Sequence, residues 1–229
     1  MMKTKIKDVF FDLDHTLWDF EKNSTLTFQK IFEINELQPD LNLFLDAYVP
    51  INETYWRRFR NNEVDKETLR FGRLNDAFNA IEFPVDAALI YKLSEDYIMH
   101  LPSFNYLFED AKSMLNYLHS KYNLHIITNG FENVQASKLT SSKINQYFKT
   151  VTNSEEAGVK KPHPDIFNMA LKKANAKVES SVMIGDNLEA DILGALQVGF
   201  QVIYFNQVPL IHHNHIPQIN KLKALKNYL

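Results

Sequence analysis

The chain has 229 residues, of which 45% are hydrophobic and none is cysteine, and its formal net charge is -3. This length and hydrophobic content are enough for a buried core, which excludes an intrinsically disordered chain. The small negative charge, with lysine and arginine spread along the chain, provides no basic surface for a nucleic-acid polymer, so we expect a small-molecule partner. The absence of cysteine excludes disulfides, thiolate metal ligands and cysteine nucleophiles, and it suits the reducing cytoplasm.

No part of the chain is predicted to enter a membrane. Residues 1–7 are basic, but the apolar run that follows them is interrupted by Asp12, which is not typical of a signal peptide. No apolar stretch approaches the ~20 residues that a helix needs to span a bilayer. We therefore expect a soluble, cytoplasmic protein that is a monomer or a weak homodimer.

A short apolar run near the start of the chain ends in two aspartates. Residues 9–11 are Val-Phe-Phe, which is typical of a strand buried on both faces of a parallel sheet, and Asp12 and Asp14 follow. Such sheets bind ligands beyond the carboxyl ends of their strands. If the backbone stays extended, side chains at i and i+2 project to the same side, so both carboxylates border one small volume. A hard cation such as Mg²⁺ would balance their repulsion.

The segment after these aspartates reads as a run of helices with little strand patterning. The expected helices cover 24–32, 40–48, 55–59, 65–78 and a segment that follows residue 84. From residue 102 the chain returns to a different pattern. We therefore expect a helical domain at 18–101, inserted into a domain formed by 1–17 and 102–229.

From residue 110 onward helix and strand patterns alternate, which predicts βαβ units and a parallel sheet. The strands are expected at 124–127, 150–152, 182–184 and 202–205, and the helices at 110–119, 135–139, 165–174 and 189–198, with Gly199 as a helix-ending glycine. Beyond residue 205 we expect a loop and a short terminal helix. The histidines within 212–215 have no acidic partner in sequence, so they are only a compositional hint of metal binding. The predicted fold is an α/β, doubly wound, Rossmann-like parallel sheet with an inserted helical domain.

Three further loops contain polar residues that follow an expected strand or precede an expected helix. Asp12 and Asp14 likewise follow an expected strand. Thr128 and Asn129 offer a hydroxyl and amide groups suited to phosphate oxygens. A lysine, either Lys160 or Lys161, stands before a proline-initiated helix, where its charge would balance phosphate and carboxylate. Asp186 follows a buried strand and therefore needs a partner, and Asp191 lies five residues beyond it. We expect all of these loops to converge on one pocket.

Together these motifs resemble, in composition and order, the four motifs of the haloacid dehalogenase-like hydrolases. The matching residues are Asp12, Asp14, Thr128, Lys161, Asp186 and Asp191. The helical insert resembles the type-one cap of that family. The resemblance implies a Mg²⁺-dependent phosphohydrolase, with Mn²⁺ as the alternative metal, that acts on a small-molecule phosphate monoester. A DxD motif also occurs in glycosyltransferases, but the hypothesis of a glycosyltransferase leaves Lys161 and Asp186 unexplained.

The resemblance also implies a role for each matching residue. Asp12 would be the nucleophile and Asp14 the general acid and base. The metal would be held by the carboxylates of Asp12 and Asp186 and by the backbone carbonyl at Asp14. The residues that would bind phosphate are Thr128, Asn129 and Lys161. Thr128 and Lys161 would also stabilise charge during catalysis, and Asp191 would orient Lys161 or a metal-bound water.

Two stretches, 14–20 and 128–131, more narrowly resemble the pyrimidine 5′-nucleotidases, which dephosphorylate nucleoside monophosphates, including non-canonical ones. The candidate substrate-selecting residues are Trp18, Trp56, Arg57, Arg70 and Arg73, whose rings and guanidinium groups are suited to a nucleotide. The alternative is that the aromatic residues form the core of the insert and the arginines a solvated face.

Several other functions remain open. A sugar-phosphate phosphatase, a phosphoglycolate phosphatase or a phosphomutase would share the same core motifs, because the fold does not fix the substrate. A catalytically silent binding protein would keep the fold without turnover. Dehalogenation is disfavoured, since Asp14, which phosphoryl transfer needs, is present.

Overall fold

The structure is a computed structural model that describes residues 5–207 and 216–229. The chain divides into two compact units, which we call the α/β unit (Met1–Phe20 and Asn105–Leu229) and the helical unit (Glu21–Phe104). The boundaries expected from the sequence lie after residues 17 and 101, against 20 and 104 in this division. The histidines within 212–215 lie outside the described residues.

The α/β unit is built on a parallel sheet. Its strands are β1 (Asp8–Phe11), β2 (Asn123–Thr128), β3 (Phe148–Asn153), β4 (Ser181–Gly185), β5 (Gln201–Phe205) and β6 (Gln218–Ile219). They are arranged in the order β3-β2-β1-β4-β5-β6, and every neighbouring pair is parallel. Phe11 in β1 is opposite Ile126 on one side and Ile184 on the other. Because the strand order reverses at β1, its carboxyl end borders the crevice where such sheets bind ligands.

The predicted doubly wound α/β fold is confirmed, and each expected strand lies within an observed one. The strand β6 was not predicted. It contains only Gln218 and Ile219, which is too short for a periodic pattern to be recognised. The segment after it forms the 3₁₀ helix Leu222–Asn227.

The helical unit contains four long helices. They are α1 (Phe20–Ile34, which starts at the last residue of the α/β unit), α2 (Leu41–Arg60), α3 (Lys66–Ala80) and α4 (Ala87–His100). Three of them begin in the same way, because Asp40, Asp65 and Asp86 each accept a hydrogen bond from the amide three residues later. Their core is aromatic: the ring of Phe28 lies 4.6 to 4.9 Å from those of Phe44, Tyr48 and Tyr97.

The prediction of two separate helices over 40–59 was wrong. The structure shows the single helix α2, which continues through Pro50. Its buried residues are Phe44, Tyr48, Asn52, Tyr55 and Phe59, which recur at helical spacing along one face. The burial of this continuous face outweighs the backbone hydrogen bond that proline cannot make.

Five helices and a π-helical segment surround the sheet of the α/β unit. They are α5 (Ala111–His119), α6 (Glu132–Ser141), α7 (Ser154–Ala157), α8 (Pro164–Ala174), the π-helix Leu188–Leu193 and α9 (Gly194–Val198). The last two occupy the single helix expected at 189–198. That helix ends as predicted at Gly199, whose φ of 102° is in the left-handed region. None of the helices in the described part of the chain has the length and apolarity needed to cross a membrane.

The chain leaves and re-enters the α/β unit at one point. The Asp19 amide donates to the Tyr106 carbonyl at 3.1 Å, and the Phe108 amide donates to the Leu17 carbonyl at 3.0 Å. Trp18 and Leu107 form an antiparallel bridge between these two contacts. The two ends of the insertion are therefore joined by backbone hydrogen bonds within the α/β unit.

Candidate active site

The predicted site residues of the core motifs come from adjacent strand ends. Asp12 directly follows the central strand β1, Thr128 is the last residue of β2, and Asp186 directly follows β4. Because the three strands are parallel neighbours, these residues lie at one edge of the sheet. Lys161 comes from the segment before α8 and reaches the same place.

A buried lysine is the centre of the cluster. The Nζ atom of Lys161 lies 2.5 Å from Asp12 Oδ1 and 2.7 Å from Asp191 Oδ1, and it donates to the Ile127 carbonyl at 2.7 Å. Its three donors are thus all used, and only 1% of the residue is exposed. Burial alone would lower the pKa of Lys161, but the carboxylates of Asp12 and Asp191 raise it above its ordinary value. Lys161 is therefore a fixed cation.

The acidic groups outnumber this one cation. Carboxylate oxygens of Asp12, Asp186 and Asp191 lie within 4.8 Å of one another. Burial raises the pKa of Asp12 well above its ordinary value, and the neighbouring Asp191 and Asp186 raise it further, against the opposing effect of Lys161. Burial and the charge of Asp191 raise the pKa of Asp186 to about 8. Three clustered carboxylates, two of them buried and that of Asp186 half-buried, carry excess negative charge beside one ammonium, which fits a divalent cation bound by oxygen ligands.

Three contacts position the loop that contains Asp186 and Asp191. The Thr16 hydroxyl donates to Asp186 Oδ1 at 3.0 Å. Gly185 allows Asp191 to approach the end of β4, because a Cβ atom at residue 185 would overlap the Asp191 carboxylate. The Asp191 carboxylate also accepts from the Asn187 amide at 3.0 Å. These contacts hold the carboxylates of Asp186 and Asp191 in place.

The carboxylate of Asp14 has a separate set of partners. Gln135 Nε2 donates to Asp14 Oδ2 at 3.0 Å, and Lys138 Nζ donates to Asp14 Oδ1 at 2.6 Å. Sequence reasoning assigned no role to Gln135 or Lys138, although it placed both in a predicted helix. Their spacing of three residues, which puts both on one face of that helix, was the available signal.

The Thr128-Asn129 loop is held by its own hydrogen bonds. Thr128 Oγ1 accepts from the Gly130 amide at 3.1 Å and from Gln135 Nε2 at 2.6 Å, which leaves its hydroxyl hydrogen as a donor. The Asn129 side chain accepts from the Lys161 amide at 2.7 Å and donates to the Lys161 carbonyl at 3.0 Å. Asn129 therefore ties its loop to the backbone of Lys161, and binding of phosphate by Thr128 and Asn129 stays a prediction.

The candidate substrate-selecting residues are divided between the two units. Within the helical unit, Arg70 pairs with Glu95 at 2.6 Å, whereas the buried Arg73 donates to Asn52 Oδ1 at 2.8 Å. Trp56 packs against Phe59, with ring centroids 5.7 Å apart, and Arg57 is exposed. In the α/β unit, Trp18 is fully buried.

The chain is similar to proteins of known family over most of its length. A family model described as haloacid dehalogenase-like hydrolase matches residues 9–205. The pyrimidine 5′-nucleotidase YjjG of Escherichia coli is 30% identical over 211 residues, which cover 92% of this chain and 88% of that protein. The glyceraldehyde 3-phosphate phosphatase of Pyrococcus furiosus is 30% identical over 202 residues, which cover 88% of this chain and 81% of that protein.

A solved structure gives the same answer for the fold. The protein YfnB of Bacillus subtilis, crystallised with magnesium, superposes with a TM-score of 0.87 over 99% of both chains, at 26% sequence identity. The similarity thus extends over both units of the chain.

Proposed function

Because the chain belongs to the haloacid dehalogenase-like hydrolase family, we propose that it is a Mg²⁺-dependent phosphatase that forms an aspartyl-phosphate on Asp12. The sequence-based prediction of an enzyme of this family is confirmed. The observation that carries the proposed mechanism is the buried cluster at the end of β1, in which Asp12 lies 2.5 Å from Lys161 and two residues before Asp14.

The proposed reaction proceeds in two displacements. A carboxylate oxygen of Asp12 attacks phosphorus, the bond from phosphorus to the ester oxygen breaks, and Asp14 gives its proton to that oxygen. Water then attacks the phosphorus of the aspartyl-phosphate, Asp14 takes a proton from the water, and phosphate leaves as the Asp12 carboxylate is restored. After the second displacement, Asp12 is again a carboxylate and Asp14 again carries its proton.

The remaining core residues would stabilise charge. The positive charge of Lys161 and the free hydroxyl hydrogen of Thr128 are suited to the transferring oxygens, since phosphoryl transfer depends mainly on positioning and electrostatics. The carboxylates of Asp12 and Asp186 and the backbone carbonyl of Asp14 would hold Mg²⁺. The cation would supply positive charge beside the phosphate oxygens. Asp191 would keep Lys161 in place, 2.7 Å away.

A nucleoside 5′-monophosphate with a pyrimidine base is the substrate we propose. It is supported by the similarity to YjjG and by the residues of 14–20 and 128–131. A sugar phosphate is the second candidate, because the glyceraldehyde 3-phosphate phosphatase of Pyrococcus furiosus is equally identical to this chain, at 30%.

We also propose that the helical unit acts as a cap that excludes water and selects the leaving group. The magnesium-bound structure of YfnB is described as revealing interdomain movement. In this proposal Arg57, Arg70 and Trp56 contribute to selection from the helical unit, whereas the buried Arg73 and Trp18 are not placed in contact with the substrate.

Phosphate release tests both levels of the proposal. We would measure it with Mg²⁺, and with EDTA in its place, from pyrimidine and purine monophosphates, glyceraldehyde 3-phosphate and phosphoglycolate. We expect metal-dependent release with a preference for uridine or thymidine monophosphate, and Asp12→Asn to lose at least ~1,000-fold in kcat, as removal of a nucleophile does. A preference for glyceraldehyde 3-phosphate would keep the mechanism and reject the nucleotidase. Release from no substrate would reject the phosphatase.

A further inference from the structure

Helix α6 supplies a donor to each oxygen of the Asp14 carboxylate. Lys138 Nζ lies 2.6 Å from Oδ1, and Gln135 Nε2 lies 3.0 Å from Oδ2. Both donors are buried, with 2% of Lys138 and 1% of Gln135 exposed. The Asp14 side chain itself is 22% exposed. A partly exposed carboxylate that rotates about single bonds is thus held from one side by two buried groups.

Gln135 links Asp14 to the phosphate-binding loop. Its Nε2 atom donates to Thr128 Oγ1 at 2.6 Å as well as to Asp14, which uses both hydrogens of the amide. The amide packs directly on Gly130, where a Cβ atom would overlap it. Gln135 therefore fixes the distance between the Asp14 carboxylate and the Thr128 hydroxyl.

Lys138 is held on its other side by aromatic rings. Its Nζ lies 4.3 Å from the centroid of the Trp18 ring and 5.4 Å from that of Phe20. A buried ammonium needs compensation, and the Asp14 carboxylate and the face of an indole both provide it. The backbone of Trp18 also forms a parallel bridge with Asp14, so the platform and the carboxylate belong to one local structure.

We infer that Lys138 and Gln135 are positioning residues, which fix the Asp14 carboxylate for proton transfer to the leaving oxygen, and that Trp18 is the platform for Lys138. This inference rests on the proposed phosphatase function. The physical reason is geometric: a displacement of about 1 Å at a reacting group costs on the order of 100-fold in rate. Without Lys138 and Gln135, the Asp14 side chain would rotate among its staggered conformers.

Two esters with different leaving groups separate this role from a general structural one. An alkyl phosphate, such as uridine 5′-monophosphate, needs a proton on its departing oxygen, whereas p-nitrophenyl phosphate releases a stabilised phenolate without one. The quantity to measure is kcat/KM, which reports the steps up to departure of the leaving group. We expect Lys138→Met to lower it ~30-fold for the alkyl ester and less than ~3-fold for p-nitrophenyl phosphate. Lys138→Arg, which keeps a charged donor, should recover much of the loss.

Gln135→Met provides a contrast on the same helix. Because Gln135 also holds Thr128, which is placed at the phosphate, its loss should lower kcat/KM for both esters. Lys172→Met, an exposed lysine on α8, is the matched control and should change neither.

A double-mutant cycle tests whether Lys138 acts through Asp14. In the background of Asp14→Asn, Lys138→Met should cause no further loss with the alkyl ester, because the group that it positions is gone. Equal loss for both esters in Lys138→Met, or losses that multiply in the double variant, would overturn the inference. If wild type hydrolysed p-nitrophenyl phosphate but not uridine monophosphate, the alkyl ester it hydrolyses fastest would replace the nucleotide, and only the nucleotidase would be rejected. If wild type hydrolysed no ester, the proposed function would fail, and the inference with it.

Discussion

The carboxylates of Asp12 and Asp191 contact one ammonium at the carboxyl end of the central strand, and that of Asp186 lies beside them. This imbalance of charge affects stability as well as chemistry. Burial and mutual repulsion raise the pKa of Asp12 and of Asp186, so the metal-free folded state retains protons that the unfolded chain releases. A divalent cation would replace those protons. The site is thus folded at some cost in stability, as is common for binding sites.

The stability of the metal-free protein should therefore decrease as pH rises. The pKa of Asp186 is about 8 in the folded state, against 3.8 for the ordinary group. Between these values the folded state binds more protons than the unfolded state, so the free energy of unfolding falls with increasing pH. We expect Tm in EDTA to fall by ~5 °C or more from pH 5 to pH 8, and Mg²⁺ to restore it at pH 8.

Asp186→Asn is the control for this experiment. It should flatten the decrease of Tm with pH and weaken the effect of Mg²⁺, because the asparagine side chain neither titrates nor carries charge. A Tm in EDTA that stays constant or rises between pH 5 and pH 8 would contradict the account.

The site residues that the sequence itself indicates most directly are those that follow strands. Asp12 and Asp186 stand directly after apolar runs, and an acid in that position signals a sheet edge with a function. Lys138 gave no such signal, because a lysine on a helix is ordinarily solvated. Its burial depends on contacts with Asp14 and Trp18, which are more than 100 residues away in the chain.

At the level of elements, α2 shows how packing overrides a local signal. Pro50 lacks an amide hydrogen and its ring crowds the preceding turn, which locally disfavours a continuous helix. Buried aromatic residues nevertheless lie on the same face before and after it, and Pro50 itself is exposed. The apolar patterns at 40–48 and 55–59, which were predicted as two helices, therefore belong to one continuous helical period.

Pro50→Ala should stabilise the protein. The substitution restores the amide donor in the helix interior and removes the steric conflict, although the unfolded chain gains some entropy. We expect a gain of ~1–2 kcal/mol in the free energy of unfolding, measured by urea denaturation. Pro84→Ala, which changes an exposed proline outside the helices, is the matched control and should give no gain. An unchanged or lower stability of Pro50→Ala would mean that α2 is not continuous in solution.

On the scale of the whole molecule, the chain contains two cores of different kinds. The core of the α/β unit is formed by aliphatic and aromatic residues on both faces of the sheet, whereas that of the helical unit is mainly aromatic. All groups proposed to bind the metal belong to the α/β unit. The metal should therefore act on one unit directly.

Amide hydrogen exchange would show whether Mg²⁺ acts directly on the α/β unit alone. When Mg²⁺ is added, we expect slower amide exchange in the segments that hold it, at 12–17 and 185–191, because a bound ligand suppresses their local opening. Exchange in 41–100, within the helical unit, should change little. Asp186→Asn should abolish the effect, and slowing of equal size in both units would show that they open together.

The paired backbone at the ends of the insertion makes the helical unit exchangeable. The hydrogen bonds that join Asp19 to Tyr106 and Phe108 to Leu17 are made by main-chain atoms, so they do not depend on particular side chains at these positions. The α/β unit can therefore accept an insert of another length or origin while these backbone hydrogen bonds stay the same. We expect a graft of an unrelated helical insert between residues 20 and 105 to leave the Mg²⁺-dependent rise in Tm intact while it changes which phosphate esters are hydrolysed. Such a junction lets substrate range diverge while the phosphate chemistry is inherited unchanged.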